Sequence, residues 1–202
     1  MLRKHQIEFS ETIDGIIDGS GVTQIVLHVT PGGGKSAIPM IAGRLIYAGM
    51  ADAICWVVPR KSLQDQGERN FIDPFFRDLL GHRLTIRTST NDSNPCRGLD
   101  GAITTYQALG IDNKKTLERD FNRKRYILIL DEFHHIEDLG TWHKALAPLV
   151  EKSDFVIMMT GTMSRGDKSD IAFLEYRDGR PVFGPETKYI QYGRTMALQE
   201  KA

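Results

Sequence analysis

Short apolar runs recur along the chain, and stretches with helical periodicity separate them. The four clearest runs are 25–29, 53–58, 126–130 and 155–159. An unbroken apolar run of this length predicts a strand that is buried on both faces, as in a parallel sheet covered by helices. Alternation of such strands with helical stretches predicts an α/β fold, a parallel sheet wound by crossover helices.

Weaker signals predict the remaining elements. Helices are expected over 2–17, 36–47 and 62–80, the last interrupted at Asp73-Pro74, and short strands over 84–87 and 101–105 around a polar loop at 90–98. Two strands around Asp178-Gly179 predict a hairpin, and 187–202 predicts a strand followed by the start of a helix. We expect a main domain at 1–165. Residues 166–202 would form the hairpin extension and the beginning of a link to further sequence.

Composition limits the classes of function. With 202 residues and 41% hydrophobic content, the chain can bury one sizeable core. Equal numbers of basic and acidic residues give a formal net charge of +0, so any nucleic-acid contact should be confined to a groove or a few loops. Cys55 and Cys96 form no C-x-x-C pair and fit a reducing compartment. No run reaches transmembrane length, so we expect a soluble, cytoplasmic protein without a membrane partner.

The turn after the first apolar run has the residues of a phosphate-binding loop, Val29-Thr30-Pro31-Gly32-Gly33-Gly34-Lys35-Ser36. Glycines let backbone N–H groups converge on phosphate oxygens, and the start of the following helix attracts the same anion. Lys35 should reach the β- and γ-phosphates of ATP, and the Ser36 hydroxyl should bind the accompanying Mg²⁺. Val29 stands where the pattern has a small residue. The alternative is an ordinary glycine turn, which the adjoining Lys-Ser and the flanking strand and helix disfavour.

Two carboxylates follow the apolar run 126–130, at the end of a strand where ligands bind in open α/β sheets. Asp131 would position Mg²⁺, usually through water, and Glu132 would orient and polarise the water that attacks the γ-phosphorus. Solvated acids at a strand end are the alternative, but the phosphate-binding loop favours ATP hydrolysis. A metal site built from His134, His135, His143 and Glu137 matches no zinc spacing. The basic run 123–125 is typical of a solvated connection.

These motifs, in their order, resemble the superfamily-two helicases and translocases of the DExH type, specifically the first of their two RecA-like domains. The resemblance covers nearly the whole chain. The segments that carry it are Leu2-Arg3-Lys4-His5-Gln6, the loop 30–36, Val58-Pro59-Arg60-Lys61-Ser62-Leu63, Thr104-Thr105-Tyr106-Gln107, Asp131-Glu132-Phe133-His134 and Thr160-Gly161-Thr162.

The resemblance implies roles that the residues alone leave open. Arg3 and Gln6 would bind the nucleotide, with the Gln6 amide on the adenine edge. His134 would act with the catalytic residues, and Thr160, Gly161 and Thr162 would couple the phosphate site to strand movement. The residues expected to contact a nucleic-acid backbone are Pro59, Arg60, Lys61, Ser62, Thr105 and Tyr106.

The implied function is the ATP- and Mg²⁺-binding N-terminal domain of a nucleic-acid-dependent ATPase, a helicase or translocase, with DNA favoured over RNA by analogy. The resemblance also implies a second RecA-like domain, absent from this chain, whose arginines complete the site. We therefore expect this chain to bind Mg-ATP weakly and to hydrolyse it poorly. A motor subunit of a restriction or defence system and a nucleotide-dependent binding module without turnover remain the alternatives.

Overall fold

The computed structural model describes residues 2–88, 98–110, 114–136, 140–163 and 170–199. The strands within these ranges are β1 (Gln24–Val29), β2 (Ala53–Val58), β3 (Ile86–Thr88), β4 (Gly101–Thr105), β5 (Tyr126–Asp131), β6 (Phe155–Thr160), β7 (Glu175–Arg177), β8 (Arg180–Val182) and β9 (Thr187–Tyr192). The helices are α1 (Lys4–Ile17), α2 (Ile38–Ala42), α3 (Arg44–Tyr47), α4 (Lys61–Ile72), α5 (Pro74–Leu80), α6 (Tyr106–Gly110), α7 (Lys114–Phe121), α8 (Thr141–Lys152) and α9 (Arg194–Gln199), with 3-10 turns at Lys35–Ala37 and Phe133–His135.

Cys96 and most of the polar loop expected at 90–98 lie outside the described residues, as does Glu137. Within the described ranges, no helix combines the length and the apolar character needed to span a bilayer.

Seven of the strands form one sheet in the order β3-β4-β2-β5-β6-β1-β9. Every neighbouring pair in it is parallel. All residues of β2, β5 and β6 are buried, which matches the apolar runs 53–58, 126–130 and 155–159 that they contain. The predicted α/β class with a wound parallel sheet is therefore confirmed.

The sheet separates two apolar cores, because successive side chains of a strand point to opposite faces. On β5, Ile127 and Ile129 join the core that α1 to α4 cover, whereas Leu128 and Leu130 join the core under α6 to α8. With helices on both faces, the loops at the carboxyl ends of the strands form one open edge. The phosphate-binding loop and the strand-end carboxylates all lie on this edge.

The helix expected over 36–47 is divided into a 3-10 turn, α2 and α3. The division between the last two falls at Gly43, where a Cβ atom would lie 2.0 Å from Leu84 Cδ1. A glycine at this position therefore lets the connection before β3 pack closely against the helix. The helix predicted over 62–80 breaks into α4 and α5 at Asp73-Pro74, as the proline indicates.

The C-terminal hairpin is present, with β7 and β8 antiparallel around Asp178 and Gly179. Both turn residues have positive φ, 50° and 70°, as a two-residue turn of this type requires. The strand that follows differs from expectation, because β9 pairs with β1 in parallel from Gln24↔Thr187 to Val29↔Tyr192 and so belongs to the main sheet. The expected boundary at 165/166 falls within 164–169, outside the described residues, and stays a prediction, while residues 187–192 lie in the main sheet.

Candidate active site

The phosphate-binding loop follows β1 directly and depends on its glycines. Gly32 and Gly34 have φ values of 74° and 87°, a region that side-chain-bearing residues rarely adopt. A Cβ on Gly33 would lie 2.4 Å from Val29 Cγ1 and 2.8 Å from the Thr30 carbonyl oxygen. Each glycine is therefore required by the backbone path, and the predicted loop ends at the 3-10 turn that begins with Lys35.

Lys35 and Glu132 form an ion pair between their Nζ and Oε1 atoms. The second carboxylate oxygen, Oε2, accepts a hydrogen bond of 3.0 Å from Gly161 N–H. Glu132 has a positive φ of 50°, so the backbone turns sharply where β5 ends and points the side chain toward the loop. One carboxylate thus joins the phosphate-binding loop, the end of β5 and the segment after β6.

The charge state of Glu132 follows from these contacts. Burial alone would raise the pKa of this carboxyl, but the hydrogen bonds from Lys35 and Gly161 and the charge of Lys35 bring its pKa below the usual value. Glu132 is therefore ionised at neutral pH. An ionised carboxylate can accept a hydrogen bond from a water molecule, which is what a catalytic base must do.

The pKa of Asp131 is raised, in contrast to that of Glu132. Its side chain is buried, its Oδ1 atom has no hydrogen-bond partner, and burial raises its pKa to about 7. A buried carboxylate oxygen without a partner is unusual and calls for a cation or a polar ligand. Asp131 and Ser36 line the same cavity of about 360 Å³ as Lys35 and Glu132.

The donor set of this cavity fits Mg²⁺. No group of three or more histidine, cysteine or carboxylate side chains in the described part of the chain could enclose a metal ion by itself. Mg²⁺ needs no such enclosure, since it retains several waters and binds through one or two carboxylates together with substrate phosphates. One hydroxyl from Ser36 and one partnerless carboxylate oxygen from Asp131 are the protein ligands that this mode uses.

The segment after β6 contacts the carboxylate strand through His134. The Oγ1 atom of Thr160 lies 2.7 Å from His134 Nδ1, donates to the Thr162 carbonyl at 2.7 Å and accepts from Thr162 N–H at 3.1 Å. The Thr160 hydroxyl therefore connects His134 on the carboxylate strand with the backbone of Thr162. Of the three residues predicted to couple strand movement to the phosphate site, Thr160 thus contacts His134 and Gly161 contacts Glu132, while Thr162 is bonded to Thr160.

Arg3 and Gln6 contact the phosphate-binding loop from α1. Arg3 Nη1 donates to the Gly32 carbonyl at 2.7 Å, and Gln6 Nε2 donates to the Gly34 carbonyl at 2.9 Å. Gln6 Oε1 also accepts from Arg3 N–H at 2.8 Å, so both ends of this amide are bonded within the protein. The adenine contact of Gln6 stays a prediction, and its contact in this structure is with the loop.

Most of the residues predicted to contact nucleic acid lie together at the carboxyl edge of the sheet. Val58 at the end of β2 pairs in register with Thr105 at the end of β4, so the segment 59–62 lies beside Thr105. Arg60, Lys61 and Ser62 are exposed.

Tyr106 does not match its expected role as a phosphate contact. Its side chain is 1% exposed, and its hydroxyl donates to the Asp131 carbonyl oxygen at 2.8 Å. The hydroxyl is therefore committed to the protein interior, and the ring packs in the core below the edge. The reason is the register of α6: this helix begins at Tyr106 and turns the tyrosine toward β5.

Two residues near the loop were not anticipated from the sequence. The Tyr192 carbonyl accepts from Thr30 N–H at 3.0 Å, and the tyrosine ring would lie 3.6 Å from a Cβ on Gly33. His28 lies 3.2 Å from the Tyr189 hydroxyl through Nδ1, and burial lowers its pKa. The sequence predicts a strand at 187–192 but carries no signal that it pairs with β1, so these contacts could not be foreseen.

One family model and several relatives match this chain. A model of the family described as "Type III restriction enzyme, res subunit" matches residues 1–165. An uncharacterized protein of Mycobacterium tuberculosis is 28% identical over 176 residues, which are 85% of this chain and 27% of that protein. An uncharacterized protein of Mycobacterium leprae is 25% identical over 151 residues, which are 73% of this chain and 24% of that protein. The chain spans about a quarter of the length of these curated relatives.

Several solved structures share the fold. The SWI2/SNF2 ATPase core of Sulfolobus solfataricus, in complex with dsDNA, aligns with a TM-score of 0.60 and 20% identity over 80% of this chain and 32% of that one. The UvsW helicase of bacteriophage T4 gives 0.58 and 18% over 81% and 53%, and the Hef helicase domain of Pyrococcus furiosus gives 0.58 and 14% over 98% and 42%. At these identities the likeness shows the fold alone, the RecA-like fold of helicase domains. Because the family match includes the phosphate-binding loop, both carboxylates and the segment after β6, the chain belongs to the family described as type III restriction enzyme res subunit, a family of helicase-type ATPase domains.

Proposed function

We propose that this chain is the ATP-binding part of a nucleic-acid-dependent ATPase that moves along DNA or unwinds it. The observation that carries the proposal is the contact of Glu132 with both Lys35 and Gly161. This carboxylate joins the loop that would hold the phosphates to the strand end that would move. A site that only bound nucleotide would have no need of an ionised carboxylate held at the same place.

Nucleotide binding should replace Glu132 by phosphate oxygens as the partner of Lys35. The loop N–H groups would receive the polyphosphate, and the ammonium group of Lys35 would turn from Glu132 to the β- and γ-phosphate oxygens. Glu132 would then be free to accept a hydrogen bond from water and to orient it toward the γ-phosphorus. As the new P–O bond forms, the bond from the γ-phosphorus to the β–γ bridging oxygen breaks, which leaves ADP and phosphate.

Mg²⁺, when bound, neutralises charge on the phosphate oxygens. Ser36 would hold it through its hydroxyl, and Asp131 through its Oδ1 atom by way of water. The raised pKa of Asp131, about 7, means that its carboxyl loses a proton when the cation binds near neutral pH.

The departure of Lys35 from Glu132 would also couple ATP binding to a shift of β6. When Lys35 leaves Glu132, the hydrogen bond from Gly161 becomes the main remaining contact of that carboxylate, and the end of β6 should shift with it. Thr160 would transmit the shift through its hydrogen bond to His134. This coupling role of Thr160, Gly161 and Thr162 is part of the proposal.

Nucleic acid would lie across the edge formed by residues 59–62 and Thr105. Arg60 and Lys61 supply charge, and Ser62 and Thr105 supply hydroxyls, which together position a phosphate backbone without reading its sequence. DNA is favoured because the SWI2/SNF2 neighbour was solved with dsDNA. A motor subunit of a restriction system is the second candidate, favoured by the description of the family, and it would use the same ATP site.

Phosphate release from ATP tests the proposal, with single-stranded DNA, duplex DNA, RNA or no polymer, and with Lys35→Ala and Glu132→Gln as variants. Mg-ATP should bind to the wild-type chain and to Glu132→Gln but not to Lys35→Ala. We expect little turnover by this chain alone, because arginines from a second RecA-like domain are worth roughly 10³-fold or more in related hydrolases. With a second RecA-like domain present, turnover should depend on nucleic acid and on Glu132.

Two results would contradict this function. If the wild-type chain and Lys35→Ala bind Mg-ATP with equal affinity, Lys35 and its loop do not bind the phosphates. Steady turnover by this chain as a monomer, with strong stimulation by nucleic acid, would remove the need for a second domain.

A further inference from the structure

The cavity beside the phosphate-binding loop has a second wall, which belongs to α4. The residues that α4 contributes to this wall are Leu63, Gln66, Gly67 and Asn70. Their spacing of three and four residues places them on one face of the helix. The loop and the two carboxylates account for the opposite side of the cavity, so this face of α4 is a part of the site without an assigned role.

Gly67 lets α4 pack closely against the strands that form the floor of the cavity. A Cβ at this position would lie 2.6 Å from Trp56 Cζ3 and 2.7 Å from Ile103 Cδ1. A glycine is therefore needed for the helix to lie this close to β2 and β4. Gln66 adjoins this glycine and Asn70 follows one turn later, so the close packing fixes where both amide side chains meet the cavity.

The amide groups of Gln66 and Asn70 are not used within the protein. Gln66 is exposed and Asn70 is half-buried, and neither amide is hydrogen-bonded to another residue in the described part of the chain. Gln64, on another face of α4, is the contrasting case, because it is buried and donates to the Ile103 carbonyl at 2.7 Å. Gln64 supports the fold, whereas the other two amides can bind a ligand.

A hydrated cation needs the groups that these amides offer. Ser36 and the phosphates fill only part of the octahedral shell of Mg²⁺, which retains several water molecules. Water bound to a cation donates its hydrogens, and the amide oxygens of Gln66 and Asn70 can accept them, as the Asp131 carboxylate can. Six water molecules at about 30 Å³ each occupy about 180 Å³. The cavity of about 360 Å³ therefore has room for the hydrated cation and a phosphate group.

We propose that the Gln66 and Asn70 amides accept hydrogen bonds from water molecules that Mg²⁺ retains, and so hold the hydrated cation in this cavity. The assignment rests on the proposed function, since that function brings Mg²⁺ to Ser36 and Asp131. Both amides are positioning residues, because they act on the cation through water. Loss of an outer partner of this kind costs roughly 10- to 100-fold in metal affinity.

Calorimetry with a non-hydrolysable ATP analogue tests the assignment, in the presence of Mg²⁺ and in the presence of a chelator. The ratio of the two affinities measures the contribution of the cation. Gln66→Ala and Asn70→Ala should each lower this ratio by roughly 10-fold or more and leave the affinity in chelator unchanged. Gln66→Glu keeps an acceptor for water and should retain the ratio. Asn122→Ala is the matched control, because Asn122 is exposed and does not line the cavity.

A count of bound water distinguishes contact through water from direct ligation. Mn²⁺ can replace Mg²⁺ with the same analogue, and the broadening of its electron paramagnetic resonance lines by ¹⁷O-labelled water reports how many water molecules it binds. The wild-type chain and Gln66→Ala should give the same number. One additional water molecule in the variant would mean that Gln66 is itself a ligand, and it would overturn the contact through water.

The outcomes separate this inference from the proposed function. If Mg²⁺ does not raise the affinity of the wild-type chain for the analogue, the proposed Mg²⁺ site fails and this inference fails with it. If Mg²⁺ raises the affinity equally in the wild type, Gln66→Ala and Asn70→Ala, the Mg²⁺ site stands and the role of the amides is overturned. An equal loss of affinity with and without Mg²⁺ would also overturn it, because the amides would then contact the nucleotide or support the fold.

Discussion

Replacing Asp131 with asparagine should stabilise the chain in the absence of nucleotide and Mg²⁺, and the gain should grow with pH. Burial is the main cause that raises the pKa of this carboxyl from 3.8 to about 7, with a smaller contribution from Glu132 and an opposing one from Lys35. Its Oδ1 atom has no hydrogen-bond partner. The ionised form is therefore destabilising until a cation compensates it.

The size of the effect follows from the two pKa values. Between pH 3.8 and about pH 7, Asp131 holds a proton in the folded chain that it has released in the unfolded chain. The free energy of unfolding therefore falls as pH rises and levels off above the folded pKa. At about 1.36 kcal/mol for each pKa unit, the complete loss is about 4 kcal/mol. An asparagine avoids the charge but leaves a buried amide atom without a partner, which costs about 1–3 kcal/mol. The net gain above neutral pH should be about 1–3 kcal/mol.

Urea unfolding of the wild type and Asp131→Asn, at about pH 5.5 and about pH 8, measures this difference in the presence of a chelator. The advantage of the variant should increase by about 2 kcal/mol between the two pH values. Asp78→Asn is the matched control, because it makes the same change in a side chain that is 78% exposed. An advantage of Asp131→Asn that does not change with pH would refute the reasoning that this carboxyl is protonated below neutrality.

Three further substitutions probe the loop and its support. Gly33→Ala places a Cβ 2.4 Å from Val29 Cγ1, so the loop must shift, and we expect Mg-ATP affinity measured by calorimetry to fall by about tenfold or more. Gly67→Ala places a Cβ 2.6 Å from Trp56 Cζ3 in the core, and urea unfolding should show a loss of about 1–3 kcal/mol. Gln6→Ala removes the hydrogen bond to Gly34 and the capping bond to Arg3 N–H at the start of α1, and it should lower stability by about 1–2 kcal/mol in the same assay. An unchanged affinity for the first variant, or an unchanged urea midpoint for either of the others, would contradict the contacts described here.

The parts of the fold that the sequence predicts are those that depend on local pattern. The runs at β2, β5 and β6 are apolar at every residue because helices cover both faces, and this leaves an unbroken signal. The loop at 30–36 is recognisable for a similar reason, since its glycines and Lys35 serve one local purpose. The hairpin is recognisable because Asp178-Gly179 supplies both positive φ values that its turn requires.

The parts that the sequence does not predict depend on contacts between distant residues. The burial of Tyr106 follows from a hydrogen bond to Asp131, 25 residues away, and no pattern around the tyrosine signals it. The Gln6 amide is bonded to Gly34, 28 residues away, so a residue expected to contact only the nucleotide also holds the loop. In both cases the partner within the protein is distant in sequence, so local pattern does not reveal it.

The position of β9 changes how the C-terminal segment relates to the site. Thr30 N–H, at the start of the phosphate-binding loop, bonds to the Tyr192 carbonyl, and the Tyr192 ring lies 4.4 Å from the ring of His5 on α1. The loop is thus held from both sides, by β9 through the backbone and by α1 through Arg3 and Gln6. Because β1 and β9 are paired along six residues, a pull on β9 along its axis must act on the loop. The segment after β9 is therefore connected to the phosphate-binding loop through this pairing, apart from the contact between Gly161 and Glu132.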